Sequence, residues 1–318
     1  MYRFLLVVIF SISFSFNAQE EKRLALVIGN ANYDKGALKN PVNDALLMKQ
    51  TLEKLNFEVI YAANVPKKIE LLKTITDFGD KRKAYDVGVV YYAGHGIQLG
   101  GENYLLPTNE IFQSKFNVED NGVSVQKIMR YLKGMSKQVN VLILDACRDN
   151  PFETNWNNSR SIKGTGLAKI PPPTGTLIAF STSANYIAED GQENNSIYCK
   201  SLSENLLKEN TSIGQVFRNV REEVILKTNS RQTPEEASKL TGEGFYLNKT
   251  QNFELSEKIK SGEIDENDLI TMYGNKTVDL SISYYYKQGQ SFFDEKKYDK
   301  AIENYEQAQK LGLIDSLN

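Results

Sequence analysis

A doubly wound α/β sheet is the architecture this sequence predicts, and three observations predict it. Short apolar runs bounded by turn residues recur from Arg23 onward, helical stretches separate them, and two of the runs end abruptly on chemically useful residues. Runs that are apolar throughout suit strands buried on both faces of a mostly parallel sheet, and such sheets carry ligands at the carboxyl ends of their strands.

The elements follow in order. Leu24–Ile28 reads as a first strand, then a helix over Asp44–Leu55, a strand over Phe57–Ala62 and a helix over Lys67–Lys83. Val87–Tyr92 is a third strand, Val123–Lys133 a helix, and Val139–Leu144 and Thr176–Phe180 two further strands. Helical periodicity over Ile197–Lys208 and Ile213–Lys227, then a short apolar stretch at Phe245–Leu247, completes a domain predicted over residues 22–248. Within it, residues from about 150 to 173 turn polar and rich in Gly and Pro, the composition of a mobile loop.

Residues 1–18 carry Arg3, an apolar core from Phe4 to Phe16 and a small residue, Ala18, before Gln19-Glu20, the pattern of a secretory signal. The core is short for a membrane span, so stable insertion is expected only if the signal stays uncleaved, and Phe16 is a poor residue beside the proposed cut. An exported protein, periplasmic or secreted, is therefore expected.

Composition excludes several classes. Lys plus Arg total 38 against Asp plus Glu 40, a net charge of −2, so the basic excess that marks nucleic-acid binding is missing. With 1 His and 2 Cys there is no ligand set for a structural zinc, and no metal is assigned.

The single histidine, His95, stands in Val-Val-Tyr-Tyr-Ala-Gly-His-Gly (89–96), where an apolar run meets two glycines. The run Val139–Leu144 ends in Asp145-Ala146-Cys147-Arg148, 52 positions after that histidine. A thiol attacks as thiolate, an imidazolium beside it favours that form, and the same ring can protonate the leaving amine. Gly96 and Cys147 offer backbone amides for the oxyanion, and glycine beside the histidine permits close substrate approach. The ordinary alternative for a lone histidine is a structural one. Cys199, at a helix start, reads as a buried small hydrophobe and is left out of the site, although a disulfide to Cys147 is a competing fate in an oxidising compartment.

These residues resemble the caspase-related cysteine peptidases, nearer to bacterial caspase-like proteins and metacaspases than to animal caspases. A catalytic Cys with its His about 50 residues upstream is the spacing of that family. Supporting segments, in the family's order, are Arg23–Asn30, Asn43-Asp44-Ala45, Glu102-Asn-Tyr-Leu-Leu-Pro107, Gly175–Phe180 and Arg231-Gln-Thr-Pro234, so the resemblance covers Arg23 to Leu247. It implies a mostly parallel sheet sandwiched by helices, with His95 and Cys147 catalytic.

Animal caspases have Gln where this chain has Asp145. The metacaspase pattern places an acid there facing the primary specificity pocket, and Asp44 matches a second. Two carboxylates suit Arg or Lys, so cleavage of polypeptides after those residues is implied. Asp44 also fits a plain helix-start acid. One departure is Ala93, where metacaspases often carry Ser.

Some relatives need calcium, which leaves calcium open as a cofactor; Glu189-Asp190 with Glu193 shows no defined ligand spacing. Arg160, Lys163 and Lys169 lie in the polar loop, where such an enzyme would process itself. After a linker over 249–280, Tyr285, Gly289, Phe292, Ala301, Tyr305 and Ala308 within residues 282–315 fall at the spacing of a tetratricopeptide repeat, a small helical hairpin. One repeat alone cannot bury its apolar face, so it docks on the domain, pairs with another chain or joins a longer array. The leading expectation is an exported cysteine endopeptidase with a Cys–His dyad; the alternative is a catalytically silent adaptor recruiting a protein partner through the repeat.

Overall fold

The computed structural model describes residues 21–132, 138–147, 167–182, 194–242, 244–250, 253–254, 257–258, 261 and 275–315, with the backbone alone at Cys147, 275–284 and 310–315. The expected signal (1–18), Arg160, Lys163 and the cluster Glu189-Asp190 with Glu193 lie outside the described residues.

Among the described residues, eight strands form one sheet. Its main path runs β2 (Phe57–Ala63), β1 (Arg23–Gly29), β3 (Val87–Leu99), β6 (Val139–Cys147), β7 (Thr176–Phe180) and β8 (Glu235–Ser238). The first five of these are parallel and β8 is antiparallel to β7. Two short strands, β4 (Glu102–Leu105) and β5 (Val123–Ser124), extend from β3.

The aliphatic runs form strands because both faces of the sheet are covered, which suits branched side chains that pack on a pleat. On one face, Ala25, Val27, Val89, Tyr91, Val141 and Ile143 pack under α1 (Pro41–Lys54), α5 (Ile197–Leu206) and α6 (Ile213–Lys227). On the other, Leu24, Leu26, Val90, Tyr92, Leu142 and Leu144 pack under α2 (Lys68–Arg82) and α4 (Val125–Leu132). A short helix, α3 (Lys115–Asn121), is capped by the Ser114 hydroxyl accepting from the Asn117 amide.

The chain moves outward from β1 to β2 in one direction and from β3 to β6 and β7 in the other. The order therefore reverses between β1 and β3, and their carboxyl ends open the crevice where ligands bind in such sheets. His95 lies at that point.

At the opposite edge of the sheet, Arg82 is fully buried. Its guanidinium donates to Asn140 Oδ1 and to the carbonyls of Tyr85, Asp86 and Val139, and burial lowers its pKa to about 10. Gly88 is required there because a Cβ would collide with the Arg82 side chain.

Two expectations change. Phe245–Leu247 contributes only an isolated bridge, Ser212 to Tyr246, and the last sheet strand is instead β8, Glu-Glu-Ala-Ser. An edge strand half open to water needs no apolar alternation, so its sequence gives little signal. The carboxyl-terminal helix α7 (Asn275–Asp294) starts inside the stretch expected as linker, and it pairs with α8 (Tyr298–Asp315) as a helical hairpin. Tyr285, Ala301 and Ala308 are buried between them, and Gly289 lets the Tyr305 ring approach to 2.7 Å of where a Cβ would stand.

Candidate active site

Alternation along a strand places residues two apart on one face, so Tyr91, Ala93 and His95 of β3 share the α1 side with Ile143 and Asp145 of β6. The two strands are in parallel register, with Ala93 opposite Asp145 and His95 opposite Cys147. The histidine and the cysteine, 52 positions apart in sequence, are thus direct neighbours across the sheet.

β3 does not stop at His95, as the apolar run alone suggests. It continues to Leu99 and turns back into β4, with Gly96 opposite Leu105. Gly94 makes the passage at φ +153°, and a Cβ there would stand 2.8 Å from Tyr33 Oη and 2.9 Å from Tyr92 Oη. Those hydroxyls clamp the histidine backbone. The His95 N–H donates to Tyr33 Oη at 3.0 Å and Tyr92 Oη donates to the His95 carbonyl at 2.8 Å. The Tyr33 ring packs on the imidazole at 4.5 Å between centroids.

His95 Nε2 lies 2.6 Å from the carbonyl of Gly36, in the loop between β1 and α1. A carbonyl only accepts, so Nε2 carries the proton and Nδ1 is the basic nitrogen of the neutral ring. The loop is held by the Asn64 side chain, whose Oδ1 accepts from the amides of Ala31 and Asn32. Asn30 ties it to neighbouring segments through the Leu106 carbonyl and the Val65 amide.

The Leu106 amide donates to the His95 carbonyl at 3.2 Å, which makes Gly96 and Leu105 a non-hydrogen-bonded pair of the antiparallel ladder. The Gly96 N–H therefore points away from β4, to the side on which β6 ends.

Asp44 and Asp145 are both buried and meet at the start of α5. Asp44, in the first turn of α1, accepts through Oδ1 from Asn195 Nδ2 and from the Ser196 amide, each at 2.9 Å. Asp145 accepts through Oδ2 from Tyr91 Oη at 2.9 Å and from Ser196 Oγ at 3.3 Å. Ser196 Oγ in turn accepts from the Cys199 amide at 3.0 Å as the cap of α5. Burial, then the charge of Asp44, raises the Asp145 pKa to about 7, against hydrogen bonds from Tyr91 and Ser196 that favour its ionised form.

Cys199 is a free, fully buried thiol whose Sγ–H donates to the Asp44 carbonyl at 3.4 Å. Burial first, then Asp44 and Asp145, pushes its pKa well up, so it is held as a neutral thiol. Sequence reasoning missed Gly36, Tyr33, Tyr91, Asn195 and Ser196; period 2 along β3 was the available signal for Tyr91, while the others join the site only through folding.

Among the described residues no group of three or more His, Cys, Asp or Glu is arranged to hold a metal ion. Among them, too, no helix is long and apolar enough to cross a membrane.

A caspase domain description, of peptidase family C14, matches residues 22–245. The chain belongs to the caspase domain family. The chain resembles the human mucosa-associated lymphoid tissue lymphoma translocation protein 1 and its mouse homolog, each 28% identical over 127 residues. That match covers 40% of this chain and 15% of either relative, so the chain spans a small part of the curated relatives it matches. Among solved structures, caspase-1 from Spodoptera frugiperda shares the fold at TM-score 0.55 and 20% identity, covering 73% of this chain and 91% of that one. The caspase domain is a cysteine-peptidase-type fold.

Proposed function

We propose that this protein is an exported cysteine endopeptidase in which Cys147 attacks the scissile carbonyl and His95 transfers the protons. The observation that carries this reading is the register of His95 with Cys147 on adjacent strands, with the imidazole Nε2 bound to Gly36. His95 Nδ1 takes the thiol proton, the thiolate carbon–sulfur bond forms as the amide breaks, and the imidazolium returns the proton to the leaving amine. Water then hydrolyses the thioester. The amides of Gly96 and Cys147 stabilise the oxyanion.

Asp44 and Asp145 favour Arg or Lys at the cleaved bond, because two buried carboxylates welcome a cation and repel an acidic side chain. Self-processing and export belong to the same reading and come from the sequence, which leaves calcium open as a cofactor. Lys169 is exposed, as a cleavage site needs.

A second role rests on the hairpin, read as a tetratricopeptide-like repeat that recruits a protein partner. Tyr286, Phe293, Tyr298 and Ile302 are each more than half exposed on it. If the domain is silent, this surface carries an adaptor function instead.

The test is turnover of fluorogenic peptides with Arg, Lys or Asp before the reporter, on reduced protein with and without calcium, beside Cys147→Ala. Cys147-dependent cleavage after Arg or Lys supports the site and its pocket. Cleavage only after Asp removes the acidic-pocket assignment, and no cleavage moves the function to the adaptor.

A further inference from the structure

The segment Glu102–Pro107, prominent in the sequence, has no part in the chemistry above, yet Asn103 within it is buried at 2% exposure. Its side chain makes a reciprocal pair of hydrogen bonds with one backbone unit. Nδ2 donates to the Ala168 carbonyl at 2.8 Å and Oδ1 accepts from the Ala168 amide at 2.6 Å. This amide-to-backbone pairing mimics a strand bridge and fixes the segment that leads into β7.

The neighbour of that fixed unit, Leu167, is 2% exposed and belongs to the same core cluster as Tyr92, Leu105, Leu144 and Ala146. Its Cδ2 is 3.0 Å from where a Cβ on Gly96 would stand, and Ala146 Cβ is 3.1 Å from the same point. Leu167 therefore supports Gly96 from the face opposite His95. The β3–β4 ladder sets which way the Gly96 amide points, and with no side chain of its own Gly96 relies on what packs behind it to hold that aim finely.

We propose that Asn103 is a positioning residue: by clipping Ala168 it seats Leu167 behind Gly96 and thereby aims the Gly96 amide at the oxyanion. This rests on the peptidase reading. The clip joins the segment after the polar loop to the β3–β4 hairpin by hydrogen bonds and packing, so it does not need chain continuity upstream of Leu167. Processing upstream of that residue would leave it in place.

The test uses the full chain and compares Asn103→Leu, Asn103→Asp and Leu167→Ala with the parent. Three quantities are read: kcat and KM on a peptide anilide, the rate of Cys147 alkylation by iodoacetamide, and the melting temperature. Alkylation uses the thiolate and His95 but forms no oxyanion, so it separates positioning of Gly96 from damage to the dyad. The expected result is a fall in kcat of roughly tenfold or more for Asn103→Leu and Leu167→Ala, the scale of a misaimed oxyanion donor, with KM and alkylation unchanged. Asn103→Asp keeps the acceptor and loses the donor, and should fall between.

Folded variants with unchanged kcat overturn the proposal, as do variants in which kcat and alkylation fall together. If Asn103→Leu does not fold, Leu167→Ala decides. A parent protein without turnover defeats the peptidase reading and the clip with it, whereas a parent with normal turnover and indifferent variants defeats the clip alone.

Discussion

The Nε2 of His95 lies 2.6 Å from the carbonyl oxygen of Gly36, a contact that puts the proton on Nε2 and leaves Nδ1 as the basic nitrogen of the neutral ring. Gly36 sits at φ 72°, a left-handed conformation that glycine adopts without cost. Gly36→Val should displace the carbonyl and lower kcat/KM by about tenfold, a part of the roughly hundredfold or more that positioned acid–base groups contribute. Steady-state kinetics with an intact melting curve would check it; unchanged kcat/KM would count against the orienting role.

Asp145 titrates near neutrality, which predicts two pH effects of known sign. Its folded pKa, about 7, is above the ordinary 3.8, so the folded state holds this proton more tightly than the unfolded one. Its contribution to stability is complete below about pH 4 and is lost as pH rises through about 7. Asp145→Asn should remove that slope in denaturation curves measured between those limits. For substrate the sign is opposite: KM for an Arg peptide should fall as pH rises through 7, and Asp145→Asn should abolish the dependence. A parent whose KM is flat across neutrality would refute the second effect.

Ser196 serves both acids, giving its amide to Asp44 and its hydroxyl to Asp145 while capping α5. Ser196→Ala should cost about 1 kcal/mol of stability through the lost cap. It should also raise KM for Arg peptides, since Asp145 then loses one of its hydroxyl partners. Urea denaturation together with KM reads both, and stability loss without a KM change would confine Ser196 to capping.

Gly88 lies against the buried guanidinium of Arg82, which holds Asn140 and three carbonyls at the amino edge of the sheet. Gly88→Ala should destabilise the domain by about 3 kcal/mol, the upper range for overpacking. A calorimetric melt should show a clear fall in Tm. No fall would mean that the guanidinium has room to move.

Gly289 faces the Tyr305 ring in the hairpin, so Gly289→Val should part α7 from α8. Circular dichroism should show lost helix while peptide turnover stays at the parent level. Loss of turnover would show that the hairpin supports the peptidase.

The sequence by itself determined the strands that carry the chemistry and the faces of their residues. Val87–Tyr92 and Val139–Leu144 are long aliphatic runs, and alternation then puts His95 and Asp145 on one side, because strand geometry is local and has period 2. Only the tertiary structure decided which groups complete the site. Gly36, Ser196 and Asn195 reach His95, Asp44 and Asp145 from loops and a helix end far away in the chain, and Asn103 reaches Ala168 across 65 positions. A hydrogen bond between such distant residues leaves no periodic trace in sequence. The same reason hid β8 and β5: short edge strands are specified by the neighbour they pair with, and their own residues carry too little apolar pattern to announce them.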